Sequence, residues 1–181
     1  KATKVMARDI ELAVVAADDA FKDAGIQSKA YTETPAIDGK RFGCNIGAGL
    51  ISAELNELTA AMTTARSDEN SNKLDLKKWG RDGMGQLTPL WLLKYLPNML
   101  ACHVTIVHEL KGPSNTITCA DASSHLAIGE AFRTIQRGSA DLAICGGAET
   151  KVVPMSHMRQ ILLKRCTETH NDSPETAVRP F

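Results

Sequence analysis

Residues 112–149 read GPSNTITCADASSHLAIGEAFRTIQRGSADLAICGGAE, and this stretch decides the fold. Asn115 to Ala120 has strand character. Asp121 falls where strand gives way to helix. Ala122, Ser123 and Ser124 follow, an amphipathic helix runs to Arg137, and Gly138 caps it. A second buried strand, Asp141 to Cys145, is closed by Gly146-Gly147. The result is a strand–elbow–helix–strand unit, the right length for a right-handed crossover between parallel strands. Side chains at the elbow point out of the carboxyl end of the sheet, beside a helix N-terminus. That place favours a negative group and suits a nucleophile.

Three short motifs frame the elbow: Gly112-Pro113, Ile128-Gly129-Glu130-Ala131 and Gly146-Gly147-Ala148-Glu149. Each is weak alone, but at these spacings the segment resembles the β-ketoacyl-acyl-carrier-protein synthases, condensing enzymes of the thiolase superfamily. The resemblance runs from about Val5 to Phe181. It implies an α/β, thiolase-like fold, a mixed and mostly parallel sheet with helices on both faces. Residues 1–181 would be a partial N-terminal domain holding the N-terminal half of that fold only, without its first strand and its C-terminal half. The implied family activity is acyl transfer and decarboxylative condensation in fatty-acid or polyketide biosynthesis.

One position departs from the family. Counting forward from Gly112 or back from Ile128-Gly129, the family's catalytic cysteine falls on Asp121. The nearby Cys119 falls where the family usually has threonine. Condensation needs a thiolate, because sulfur is both a good nucleophile and a good leaving group. The backbone N–H of residue 121 would still serve the oxyanion hole that the resemblance implies. An acyl adduct on a carboxylate is a reactive anhydride, poorly suited to holding a growing chain. A carboxylate is also expected to repel an incoming malonyl carboxylate. The two histidines that polarise the malonyl carbonyl in the family are expected beyond Phe181.

Composition bounds the alternatives. The 181 residues are 43% hydrophobic, enough for a proper core, and carry zero formal net charge. Without a basic block, neither nucleic acid nor an anionic membrane is expected as the main partner. No apolar run approaches the length of a membrane span. The five cysteines are odd in number and lack a CxxC pair, so they read as reduced thiols of a cytoplasmic protein rather than disulfides or metal ligands. No cofactor or metal is expected. His103 and His108 are five apart, the wrong spacing for a zinc pair on a helix, and read as structural or exposed.

Along the chain, Met6 to Ala24 is expected as a helix with Ile10, Val14, Ala17 and Phe21 on one stripe and Gly25 as its stop. Tyr31 to Lys40 reads as polar loop, Arg41 to Gly47 as a buried strand running into Gly47-Ala48-Gly49, and Ile51 to Ala65 as helix. By resemblance Leu50 occupies a gating position at the acyl pocket; by residue type it equally fills a core. Ser67 to Asp75 reads as a mobile surface loop. Lys77, Lys78 and Arg81 make a basic spot that is either a solvated loop or a dock for an acidic carrier protein. Pro89 is expected to start a helix, Pro97 to break it, and Asn98 to Leu110 to form the next. Trp91 is either a core anchor or, by resemblance, an aromatic at the dimer interface and pocket. Lys151 to Arg165 reads as an amphipathic helix with adaptable methionines, and Cys166 to Ala177 as polar loop.

The site expectations are therefore Asp121 at the nucleophile position, with Leu50, Trp91 and Cys119 as substrate contacts. Cys119 is expected to face the core, because neighbours on a strand alternate. The resemblance implies an acyl carrier protein as partner, and a homodimer or a heterodimer with another ketosynthase-like subunit, joined at the edge strand Asn115 to Ala120. Three readings stay open for the chain: a condensing-enzyme homologue, a non-catalytic partner resembling chain-length factors, or a structural relic in which Asp121 is a helix cap.

Overall fold

In the computed structural model, which describes residues 2–179, Phe42–Gly47 (β1) is buried at all six positions. A strand buried along its whole length must be covered on both faces. Among the described residues the sheet has three strands, and β1 is the middle one. Ser114–Ile117 (β2) lies on one side and Leu142–Gly147 (β3) on the other. Both run parallel to β1, with Cys44 opposite Ser114 and Phe42 opposite Leu142. The helices are α1 (Arg8–Asp23), α2 (Leu55–Thr64), a one-turn α3 (Leu76–Lys78), α4 (Met99–His108), α5 (Ser123–Gln136) and α6 (Pro154–Leu162).

The two faces of β1 obey different rules. Phe42, Cys44 and Ile46 join Ile10, Ala13, Ala17 and Phe21 of α1 and Leu100, Ala101 and Val104 of α4 in one hydrophobic core. Gly43, Asn45 and Gly47 alternate with them toward α5. There α5 buries only small residues, Ser123, Ala127, Ala131 and Thr134. A Cβ on Gly47 would lie 2.4 Å from the backbone carbon of Ser123, and one on Gly147 would lie 2.9 Å from the Ser124 side chain. Small against small lets the first turn of α5 rest on the ends of two strands. The rest of α5 is open, with Leu126, Ile128, Phe132 and Ile135 between 41% and 65% exposed.

Most expected elements are present with shifted bounds. The helix expected from Ile51 begins only at Leu55, because residues 51–54 are tied down outside it and Glu54 takes an extended conformation. Ile51 is buried, the Ser156 hydroxyl donates to Ser52 Oγ at 2.8 Å, and the Glu54 N–H donates to the Tyr95 hydroxyl at 3.3 Å. Pro89 starts no helix. Leu90 takes a left-handed conformation (φ +64°), and a 3-10 turn, Trp91–Tyr95, follows. The loop after α2 is closed at its base by an antiparallel bridge between Arg66 and Leu74. Pro180 and Phe181, which end the expected family lead-in, lie outside the described residues.

Asp9 ties the segment after β3 to α1. It is 5% exposed, and its Oδ1 accepts the Thr150 N–H at 3.1 Å. Burial pushes its carboxyl above the usual range, against the lowering effect of backbone hydrogen bonds and of Lys151. With the folded value raised, the contribution to stability is present in acid and lost as pH rises through that value. Asp9→Asn keeps an acceptor without the buried charge. It is expected to stabilise the protein at pH 7 by on the order of 1 kcal/mol. Urea titrations at pH 7 and pH 4 check this, since the gain must shrink at the lower pH.

Candidate active-site crevice at the strand ends

β2 leaves the sheet after Ile117, whose carbonyl accepts the Ala48 N–H at 3.0 Å. The expected strand to Ala120 is therefore shorter. Ala120 takes a left-handed conformation (φ +45°), and a 3-10 turn, Ala120–Ala122, delivers the chain into α5. For a residue with a Cβ this conformation costs about 1–2 kcal/mol. Ser123 holds it in place: its Oγ accepts the Cys119 N–H at 2.8 Å and donates to the Ala120 carbonyl at 2.7 Å. The elbow read from the sequence is real, and its hinge is Ala120.

At the carboxyl ends of the strands the elbow borders an open crevice of about 610 Å³. Residues 47–50, Asp121, Ser123, Ser124, Glu149, Lys151, Arg159 and Arg165 line it. The Asp121 side chain is 87% exposed and stands 3.5 Å from an Arg165 guanidinium nitrogen. It does not cap α5, whose N-cap is Ala122 with no side-chain hydrogen bond, so the helix-cap reading fails. Asp121 does not set the charge of the crevice alone. Three cations, Lys151, Arg159 and Arg165, face two carboxylates, Asp121 and Glu149, in the same crevice. Burial holds the Lys151 ammonium below its usual value, with Arg159 and Arg165 adding to the effect and Asp9 and Asp121 opposing it.

The structure brings Leu50 to this crevice at 57% exposure, which excludes the core reading for it. Trp91 lies elsewhere, packed on the α1/α4 core with its ring 5.0 Å from that of Tyr95. Cys119 is exposed, contrary to the expected inward orientation, because β2 ends two residues before it and strand alternation no longer applies. Iodoacetamide is now expected to modify Cys119 in the native protein. Cys44, fully buried with its thiol pushed up to about 12 by burial, should stay unmodified until unfolding. Peptide mapping after a short pulse checks both, and an unlabelled Cys119 would contradict the exposed elbow.

Both α4 histidines are structural. His103 and His108 are 6% and 2% exposed, and burial pushes both imidazoles below their usual value. His108 Nδ1 lies 2.7 Å from Ser28 Oγ, and its ring stacks on Phe21 at 4.2 Å. Of the expected basic spot, Lys78 donates to the carbonyls of Arg66 and Ser67, and Arg81 pairs with Asp82. Among the described residues no group of three side chains is placed to hold a metal ion, and no helix is long and apolar enough to cross a membrane. The sequence reading missed Glu149, Lys151, Arg159 and Arg165 as crevice residues. They lie 28 to 44 positions beyond Asp121; Glu149 ends the Gly146–Glu149 motif, but no local pattern marks Lys151, Arg159 and Arg165.

A parallel sheet whose edge strand runs through a strained elbow into a helix seated on glycine strand ends is the frame of a condensing-enzyme fold. The chain belongs to the β-ketoacyl synthase family: the family model "Beta-ketoacyl synthase, N-terminal domain" matches residues 1–181. It is 37% identical over 150 residues to a 3-oxoacyl-[acyl-carrier-protein] synthase 2 of Mycobacterium leprae, covering 82% of this chain and 31% of that protein. A β-ketoacyl synthase crystal structure from Burkholderia phymatum matches with a TM-score of 0.73 at 26% identity, covering 99% of this chain and 38% of the other. The ishigamide ketosynthase/chain length factor shares the fold at a TM-score of 0.56 and 21% identity, over 92% of this chain and 40% of that one. The chain thus spans about a third of the length of the relatives it matches.

Proposed function

We propose that this chain serves fatty-acid or polyketide condensation as a non-catalytic ketosynthase homologue that pairs with a cysteine-bearing synthase and helps shape its acyl tunnel. The observation that carries this reading is Asp121: an exposed carboxylate, not a thiol, projects from the elbow into the crevice. Leu50, which also lines the crevice, is the proposed gate to the acyl chain. Two further features support a partner. Among the described residues β2 is an edge strand with an unpaired side, a surface that proteins usually cover. The outward face of α5 is a row of apolar side chains that also needs covering. In this reading a layer from outside residues 1–181 lies over α5 and supplies the histidines, while β2 pairs antiparallel across a two-fold with a second subunit.

The family activity, acyl transfer followed by decarboxylative condensation, is the second reading. Family membership favours it for the assembly as a whole. Co-expression with a cysteine-bearing β-ketoacyl synthase and an acyl carrier protein tests the pairing. Co-elution as one species, with a product length that shifts on Leu50→Ala, is the expected result. Separate elution, with product length unchanged by the chain, would remove the partner reading.

A further inference from the structure

The loop that joins α1 to β1 is held at its two ends by backbone. The Ile26 N–H donates to the Phe21 carbonyl at 3.0 Å, and the Gly39 carbonyl accepts the Lys111 N–H at 2.7 Å. Between these anchors, among the described residues, two side-chain contacts tie the loop to the helices. The Tyr31 hydroxyl donates to Asp18 of α1, and Ser28 Oγ meets His108 Nδ1 at the end of α4. The second contact is sealed from water, and the His108 Nε2 atom is buried with no hydrogen-bond partner among the described residues. A neutral imidazole carries one N–H, whereas imidazolium carries two. Ser28 Oγ can take one of them, although it already accepts the Ala30 N–H at 3.3 Å. The other would be a charged donor buried with nothing to receive it, which costs more than a neutral nitrogen in the same place.

The charges around the ring do not offset that cost. Asp18 on α1 favours the imidazolium, as does the C-terminal end of α4, but burial outweighs them. The Tyr31 ring stands 5.9 Å away. Lys29, Asp38, Lys40, Glu109 and Lys111 line, with His108, a cavity of about 270 Å³ behind the loop. Each nearby carboxylate is engaged elsewhere: Asp18 with Lys22, Glu109 with Lys111, and Asp38 with the Lys40 N–H.

We propose that His108 is an acid-released latch on the α1–β1 loop: protonation expels its ring from the Ser28 contact, and residues 27–38 move away from α4 and open the cavity at the amino ends of the strands. The folded value of the imidazole lies below the unfolded one. The latch therefore holds at neutral pH and weakens as pH falls from the unfolded value, near 6.5, toward the folded one. The Asp18 carboxyl is held below its usual range by Lys22 and Tyr31, so the other tether stays charged across this window. The latch sits at the opposite end of the sheet from the elbow, and it is independent of the partner reading.

Hydrogen exchange read by mass spectrometry on the full-length chain tests it, between pH 7.5 and pH 5 and corrected for the intrinsic pH dependence of exchange. Protection of residues 27–38 is expected to fall below pH 6.5 by up to about ten-fold per pH unit, the limit that one proton sets. Residues 123–136 of α5 should show no such slope. His108→Gln keeps a polar partner for Ser28 and cannot take the charge, so it should flatten the profile of the loop. His103→Gln, which removes the other buried imidazole of α4, should leave the slope in place. The parent decides the matter even if His108→Gln does not fold. A flat profile in its loop, or equal loss of protection in the loop and in α5, would overturn the proposal, and so would an undiminished slope in His108→Gln.

Discussion

Asp121→Cys is expected to acquire covalent acylation where the parent shows none, once the remainder of the ketosynthase fold is present. The substitution restores a thiol at an elbow that is otherwise built. Ala120 is already in the left-handed conformation, Ser123 already holds the turn, and α5 starts two residues on. A thiolate at a helix N-terminus beside a guanidinium is stabilised, which lowers the thiol pKa and raises its reactivity near neutral pH. It attacks the carbonyl of an acyl thioester, and the carrier thiol leaves. The parent carboxylate forms only an anhydride, which water destroys. The readout is radiolabel from an acyl thioester, located by peptide mapping in a Cys119→Ser background so that the exposed neighbour does not contribute. The effect runs from undetectable to near-stoichiometric. Stable label on Asp121 in the parent would show that the carboxylate performs chemistry excluded here. A restored thiol that stays unlabelled would point to a pocket no longer able to receive the acyl group.

Gly47→Ala is expected to cost about 3 kcal/mol or more, or to prevent folding. Its Cβ would meet three backbone atoms, the Ser123 carbon at 2.4 Å, the Ser124 nitrogen at 2.5 Å and the Ser123 oxygen at 2.6 Å. Backbone at the start of a helix cannot rotate away as a side chain does. Relief requires lifting the N-terminus of α5 off the sheet, and with it the elbow. Gly49→Ala is the control, because its new methyl would meet only the Glu149 carboxylate, at 3.4 Å. It should stay within about 0.5 kcal/mol of the parent. For a chain of this size the difference between the two variants corresponds to roughly 6–12 °C in melting temperature. Equal melting temperatures would mean that α5 does not sit where the structure places it.

The elbow unit was legible because its signals are local: strand, small residues, helical periodicity and glycine stops follow one another within forty residues. α1 was legible for the same reason, since Ile10, Ala17 and Phe21 mark one face. What failed depended on distant partners. Residues 51–54 carry no helix breaker, yet contacts with Ser156 and Tyr95, far away in sequence, hold them out of the helix. Strand alternation points Cys119 inward, but that rule lapses once the ladder ends at Ile117. The charge of the crevice was invisible because Arg159 arrives on α6 and Arg165 in the turn after it, and a sequence window around Asp121 contains neither.

The alternation along Phe42–Gly47 has an evolutionary consequence. Positions 42, 44 and 46 face a conventional hydrophobic core, where substitution is limited by volume and a residue of similar bulk can be accommodated by repacking. Position 47 faces helix backbone, where the limit is contact distance and no larger residue is interchangeable with glycine, and at position 43 even a methyl would lie 3.0 Å from the Pro113 carbonyl oxygen. Within six residues, one face can drift among neighbours of similar size while the other is held nearly fixed. Lineages that lost catalysis would keep the second face unchanged long after the first had diverged, because it maintains the helix against the sheet whatever residue stands at the elbow.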